Sequence, residues 1–177
     1  MTHQVLFEKD DFDHLRCKTG FTYAFWMQMS ASPKKSEVRS VFYQWTDMAA
    51  FDIRCVLDKK MLKFIIRNEH GEETTLVSER ELVKNRWYFV CLRVYEHQAK
   101  NTDFDIFIDG RFDSEGALYD YHQNENVGVT CGKFKKCAGM EGFLGDFILY
   151  AQPLTDAEIR EAHQIGLQDL EDGMFTE

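Results

Sequence analysis

Most of the chain alternates apolar and polar residues at a period of two, the spacing of a pleated strand with one face covered. Phe21-Thr22-Tyr23-Ala24-Phe25-Trp26-Met27 is a dense aromatic run bounded by Gly20 and the polar stretch 30–36. Aromatic and β-branched residues set between turn residues predict a strand covered on both faces. Strands are also predicted at 39–45, 51–57 and 62–67, with the turn-like Asp58-Lys59-Lys60 between the last two. Asn68-Glu69-His70-Gly71 predicts a hairpin turn into a strand at 74–77, because glycine supplies positive φ without steric cost. Trp87-Tyr88-Phe89-Val90-Cys91-Leu92-Arg93-Val94-Tyr95 is the longest apolar strand and reads as a central one. In Asp103-Phe104-Asp105-Ile106-Phe107-Ile108-Asp109-Gly110, Phe104, Ile106 and Ile108 share one face. The three aspartates share the other, which reads as solvated, and Asp109-Gly110 closes a tight turn. Residues 113–126 lack a clear period and read as a loop; a last strand is predicted at 142–150.

The period changes only near the end. Thr155 with Glu158 three residues on forms a capping box. Ala157, Ile159 and Ala162 follow at helical spacing, and Gly166 is placed as the stop. Residues 167–177 read as an acidic tail that frays. Eight or nine short strands with turn signals between them, then one short helix, predict an antiparallel sandwich. No internal repeat is visible.

Composition narrows the picture. A chain of 177 residues is one domain's worth. Its 21 Lys and Arg against 30 Asp and Glu leave a net charge of −9, a poor match to a phosphate backbone. Lys133, Lys135 and Lys136 are too small a cluster to reverse that, so nucleic acid is not expected as a partner. No apolar run reaches the length a bilayer requires, so membrane insertion is not expected. The start Met1-Thr2-His3-Gln4-Val5 has no basic region before an apolar one, and acids come early at Glu8, Asp10, Asp11 and Asp13. The expected location is inside the cell, in the cytoplasm or an assembly such as a cilium, with a mitochondrion still open. Cys17, Cys55, Cys91, Cys131 and Cys137 are odd in number and show no C-x-x-C pair. Cys55 and Cys91 read as small core residues.

Four blocks then fall in a familiar order. Gly20-Phe21-Thr22-Tyr23-Ala24-Phe25-Trp26 resembles the early FT-x-x-F-W strand of concanavalin A-like lectin/glucanase domains, whose relatives include laminin G-like modules and pentraxins. Arg86-Trp87-Tyr88-Phe89-Val90-Cys91-Leu92 is similar to that family's tryptophan-led strand, and Phe107-Ile108-Asp109-Gly110 to its D-G hairpin. Gly142-Phe143-Leu144-Gly145-Asp146-Phe147-Ile148-Leu149-Tyr150, followed by Leu154-Thr155-Asp156-Ala157-Glu158-Ile159, resembles its closing strand and helix. The resemblance implies an all-β antiparallel jelly-roll β-sandwich with one short C-terminal helix, over residues 1–166, and an acidic tail over 167–177. The matching blocks are core, turns and a helix cap, so they imply a fold and no single function.

Glycosidases of this superfamily carry E-x-D-x-E on one strand, so that alternate carboxylates aim into one cleft about 5–5.5 Å apart. The chain lacks that motif. Its nearest approach is Asp103-x-Asp105-x-x-x-Asp109, without glutamates, so enzymatic activity is not expected. Segment 113–126 is rich in oxygens, and calcium needs several converging ones. Asp113, Glu115 and Asp120 are therefore the candidate metal ligands; otherwise no cofactor is expected. Tyr119, Tyr121, His122 and Asn124, with Trp45 near a strand end, are the candidate residues for stacking on a sugar or anchoring a protein. The histidines are scattered, and no metalloprotease, nucleophile-elbow or phosphate-loop pattern occurs. The expectation is a non-catalytic protein-interaction module, an accessory or structural subunit of a larger intracellular assembly. A carbohydrate-binding lectin, calcium-assisted, is the alternative.

Overall fold

The computed structural model describes residues 4–7, 19–34, 37–46, 51–98, 101–121 and 127–172. The strands within them are β1 (Gln4–Phe7), β2 (Gly20–Met29), β3 (Val38–Thr46), β4 (Phe51–Asp58), β5 (Met61–Arg67) and β6 (Glu73–Glu81). There follow β7 (Trp87–Gln98), β8 (Asn101–Ile108), β9 (Arg111–Tyr119), β10 (Val127–Cys131) and β11 (Gly142–Tyr150). One helix, α1 (Asp156–Glu171), closes the order. Six strands form one sheet in the order β1-β10-β3-β4-β5-β6, and five form the other in the order β11-β2-β7-β8-β9. Neighbouring strands are antiparallel. This is the expected jelly-roll sandwich.

Alternation along the strands builds the core between the sheets. Phe21, Tyr23, Phe25 and Met27 of β2, with Tyr88, Val90, Leu92 and Val94 of β7, face Phe42, Ile53, Cys55, Phe64 and Ile66 of the six-stranded sheet. Phe147 bridges them, stacked on Phe25 at 5.4 Å and edge-on to Phe42 at 5.0 Å between ring centres. The Tyr23 hydroxyl donates to Gln44 Oε1 at 2.5 Å, so this buried polar pair satisfies itself. The sandwich closes where β6 meets β9: Asp113 accepts from the backbone N–H groups of Glu79 (2.7 Å) and Arg80 (3.2 Å). Cys55 and Cys91 are fully buried, as their apolar settings predict. The Asp109-Gly110 turn also forms as expected, with φ of 53° and 70°, the twist a two-residue hairpin requires.

A second, smaller core lies on the outside of the five-stranded sheet. The opposite faces of β2, β7 and β8 present Ala24, Trp26, Phe89, Cys91 and Phe107, and α1 covers them with Ile159, beside Leu154. This overturns the reading of the Asp103, Asp105 and Asp109 face as solvated. Asp105 is only 2% exposed and pairs with Arg93 at 2.6 Å. Asp109 accepts from Arg80 and Arg86 at 2.9 Å each and from the Phe89 N–H at 3.2 Å. Those aspartates are structural ion-pair partners. Trp87 sits half-buried at the margin of this smaller cluster.

Segment 113–126 is corrected as well. Residues 113–119 belong to β9, an edge strand in which only Leu118 is buried, so no alternation marked it. β1 and β10 were not predicted: β10 alternates Val127, Val129 and Cys131 with Gly128 and Thr130, but over only five residues. Gly166 does not stop the helix. Its α carbon lies so close to Trp26 that a Cβ there would stand 2.4 Å from the indole Nε1, and the helix runs on to Glu171 with Asp172 as its cap. The 166/167 boundary therefore falls inside a helix. The capping box forms as predicted: Thr155 Oγ1 accepts from the Glu158 N–H, and the Glu158 carboxylate accepts from the Thr155 N–H at 2.7 Å. No helix among the described residues is long and apolar enough to cross a membrane.

Candidate functional site

Among the described residues, those singled out in the sequence are not brought together. Tyr121 is 5% exposed, its ring edge-on to Phe104 at 5.2 Å, so it is a core residue rather than a stacking platform. Burial wins because the chain turns inward after Asp120, whose φ is +55°. Trp45 is half-buried and tied to its own sheet. Its Nε1 donates to Thr130 Oγ1 at 2.9 Å, and the ring lies so close over Gly128 that a Cβ there would stand 2.4 Å away. His122 and Asn124 lie outside the described residues. Of the described candidates, Tyr119 offers an open ring, at 57% exposure.

The candidate metal ligands separate too. Asp113 and Asp120 stand at opposite ends of β9, about 20 Å apart at a strand's rise per residue. Asp113 is occupied by two backbone donors, and Glu115 is exposed. Asp120 instead faces the 68–71 turn. Its Oδ2 lies 3.1 Å from His70 Nε2, which is 3.7 Å from Glu69 Oε1. Asn68 holds that turn in place, accepting on Oδ1 from the N–H groups of His70 (3.1 Å) and Glu72 (2.9 Å). Glu69, His70 and Asp120 place three potential ligand atoms within 4.8 Å of one another. Two carboxylates and one imidazole match the donor set of a zinc-type ion more closely than the all-oxygen shell of calcium.

A larger feature lies on the other side of the molecule. Where α1 crosses the five-stranded sheet it leaves a groove of ≈ 360 Å³ alongside β11. Trp26, Phe89 and Tyr150 form its floor. Ile148 from β11 and Ile165 from α1 stand at its lips, 42% and 57% exposed. Four carboxylates border it, Asp146, Glu158, Glu161 and Asp169, and among the described residues no lysine or arginine does. Glu158 is committed to the helix cap. Hydrogen bonds from the Thr155 N–H, first, and the Thr155 hydroxyl hold its carboxyl below the usual range.

Local sequence explains the arrangement. On α1, Glu158, Glu161, Ala162, Ile165 and Asp169 recur at helical spacing, so they share one flank. Asp146 sits at the irregularity where the β11–β2 register shifts, with φ of +42°, and shares the outward face with Ile148 and Tyr150, opposite the partly buried Phe147. Partial desolvation, and then the charge of Asp169, push its carboxyl up from the ordinary value. Beneath the helix, His163 stacks on Trp26 (5.6 Å) and Phe89 (5.7 Å). Burial there holds its imidazole below its ordinary value, Asp109 opposing and Arg111 reinforcing the shift. The sequence carried a signal for this flank, but placing the helix stop at Gly166 cut it short.

Comparison with solved structures agrees with the architecture. The chain superposes on a botulinum neurotoxin type G receptor binding domain with a TM-score of 0.66 at 12% identity, covering 84% of this chain and 38% of that one. A botulinum neurotoxin C/D mosaic receptor binding domain gives 0.68 at 10% identity, with 92% and 40% covered. A heptameric SAP-like pentraxin from Limulus polyphemus gives 0.61 at 11%, with 82% and 70% covered. The chain thus spans about two fifths of the neurotoxin domains, and at such identities the likeness concerns the fold alone. No curated protein sequence matches the chain. A family model does: residues 4–160 match the one described as the Concanavalin A-like lectin/glucanases superfamily. That match runs from β1 into α1 and takes in both sheets found in the structure, and so the chain belongs to the concanavalin A-like lectin/glucanase superfamily.

Proposed function

We propose that this chain is a non-catalytic binding module that serves as an accessory or structural subunit of a larger intracellular assembly, gripped by protein neighbours. The family's fold is a binding-module fold. The observation that carries the reading is the groove beside α1: an aromatic floor held on rigid strands, with exposed Ile148 and Ile165 at its lips. Such a concave, partly apolar surface suits a protein contact. The carboxylates of β8 and its following turn support it further, since Asp105 and Asp109 are committed to arginines rather than aimed as a pair into a cleft. Size fractionation of extract from the native source, followed by immunodetection, tests the reading. Elution with a large complex is expected, and elution as a free monomer would overturn it.

Carbohydrate binding is the second reading, and one observation favours it. Tyr119 presents an open ring next to Asp120, which faces His70 and Glu69, so a flat stacking surface adjoins hydrogen-bonding groups. Retention on a glycan array, abolished by Tyr119→Ala, would support it.

A further inference from the structure

The groove beside α1 sets three carboxylates around an apolar floor. Several acids elsewhere are matched to bases: Asp58 with Lys63, Glu73 with Arg67, Asp105 and Asp156 with Arg93, Asp109 with Arg80 and Arg86. Around the groove, Asp146, Glu161 and Asp169 have no lysine or arginine partner among the described residues, although Asp146 and Asp169 are close enough to repel each other. Unbalanced negative charge beside a greasy floor is unfavourable in the free chain, and a cation with an apolar stem relieves it.

We propose that this groove seats a basic segment of a protein partner, an arginine or lysine flanked by aliphatic residues. The cation meets Asp146, Glu161 and Asp169. Its methylene stem and the flanking aliphatic side chains lie on Ile148, Tyr150 and Ile165, which join the two acidic margins. Arginine suits the place best, because its planar guanidinium binds carboxylates and packs flat on an aromatic ring at once. A second copy of this chain is a poor occupant, since each copy carries a net charge of −9. The upward push on the Asp146 carboxyl agrees with a site that gains from an incoming positive charge. This assignment rests on the interaction-module reading and adds the chemistry of the partner.

The test titrates the full chain with short blocked peptides, leucine-arginine-leucine and leucine-glutamate-leucine, and follows backbone and indole N–H signals by NMR. The arginine peptide is expected to shift Asp146, Ile165, Gly166 and the Trp26 indole, and to bind at least about tenfold more weakly to Asp146→Asn/Asp169→Asn. Raised salt should weaken it in parallel. Ile165→Lys, an exposed change, should abolish binding, and thermal melts of both variants establish that they fold. No shifts, equal response to the glutamate peptide, or undiminished binding by the double variant would overturn the assignment. So would binding of tetramethylammonium as tight as the arginine peptide, which points to a small-ligand pocket, or self-association that the double variant abolishes. The two readings fail separately. A chain that elutes with a large complex, but is not released from it by Asp146→Asn/Asp169→Asn and does not bind the arginine peptide, refutes the basic segment alone. A free monomer in native extract refutes the module reading whatever the peptide does.

Discussion

Gly166 shows how one side chain, or the lack of it, fixes where the helix lies. Replacing an interior helical glycine by alanine ordinarily stabilises a protein by about 0.5–1 kcal/mol. Here the added Cβ would stand 2.4 Å from Trp26 Nε1 and 2.9 Å from its Cε2, and the ring is held from below by Phe89 at 5.2 Å. Gly166→Ala should therefore reverse the usual sign and destabilise by about 1–3 kcal/mol in urea unfolding; an increase in stability would mean that the indole yields. In a linear sequence a glycine after an amphipathic run reads as a stop, because the ring it accommodates is 140 positions away. Tyr121 was opaque for a similar reason. A tyrosine in a polar stretch looks exposed until the partner of its ring, Phe104, is known.

Between elements, Arg93 is the principal tie. Its Nη2 meets Asp105 of β8 at 2.6 Å, and its Nη1 donates to Leu154 O (3.0 Å) and Asp156 Oδ1 (2.8 Å) at the start of α1. The guanidinium also lies 4.8 Å over the ring of Phe107. One residue thus joins β7, β8 and the helix that forms the groove. Arg93→Met would leave Asp105 buried without its cation, and the expected cost is about 3–5 kcal/mol. Arg93→Met/Asp105→Leu should cost less, because the orphaned charge goes with its partner. Equal losses for the single and double variants, read from chemical denaturation, would refute the pairing argument. The strand carrying Asp105 was evident from alternation. That its charged face was covered was not, because an exposed aspartate and one bonded to an arginine are the same letter.

For the molecule as a whole, the docked helix couples stability to pH. His163, stacked on Trp26 and Phe89, has its proton affinity lowered by burial, so the unfolded chain takes up a proton before the folded one does. Its contribution is fully present above the ordinary histidine value of about 6.5 and is lost as pH falls from there toward the lower folded value. The urea midpoint of the wild type should accordingly drop more than that of His163→Gln between about pH 7 and about pH 5. Parallel profiles would show that another group sets the slope. At this scale the molecule is a two-sheet sandwich with a second hydrophobic layer beneath α1, and its groove lies between α1 and the five-stranded sheet.

Alternating hydrophobicity, turn dipeptides and the capping box were enough to determine an antiparallel sandwich with a terminal helix, because each rests on neighbours in the chain. Residues 21–27 and 87–95 declare their strands through dense aromatic and β-branched runs, and 103–110 declares a strand and its turn through alternation. What the tertiary structure decided was the outer face: that α1 lies on Trp26 and Phe89, that Asp105 of β8 and Asp109 of the following turn meet arginines, and that Asp146 comes to the same groove as Glu161 and Asp169. Those outcomes depend on contacts between segments far apart in sequence. Their energies arise from desolvation and charge proximity, which have no local pattern to leave in the order of residues.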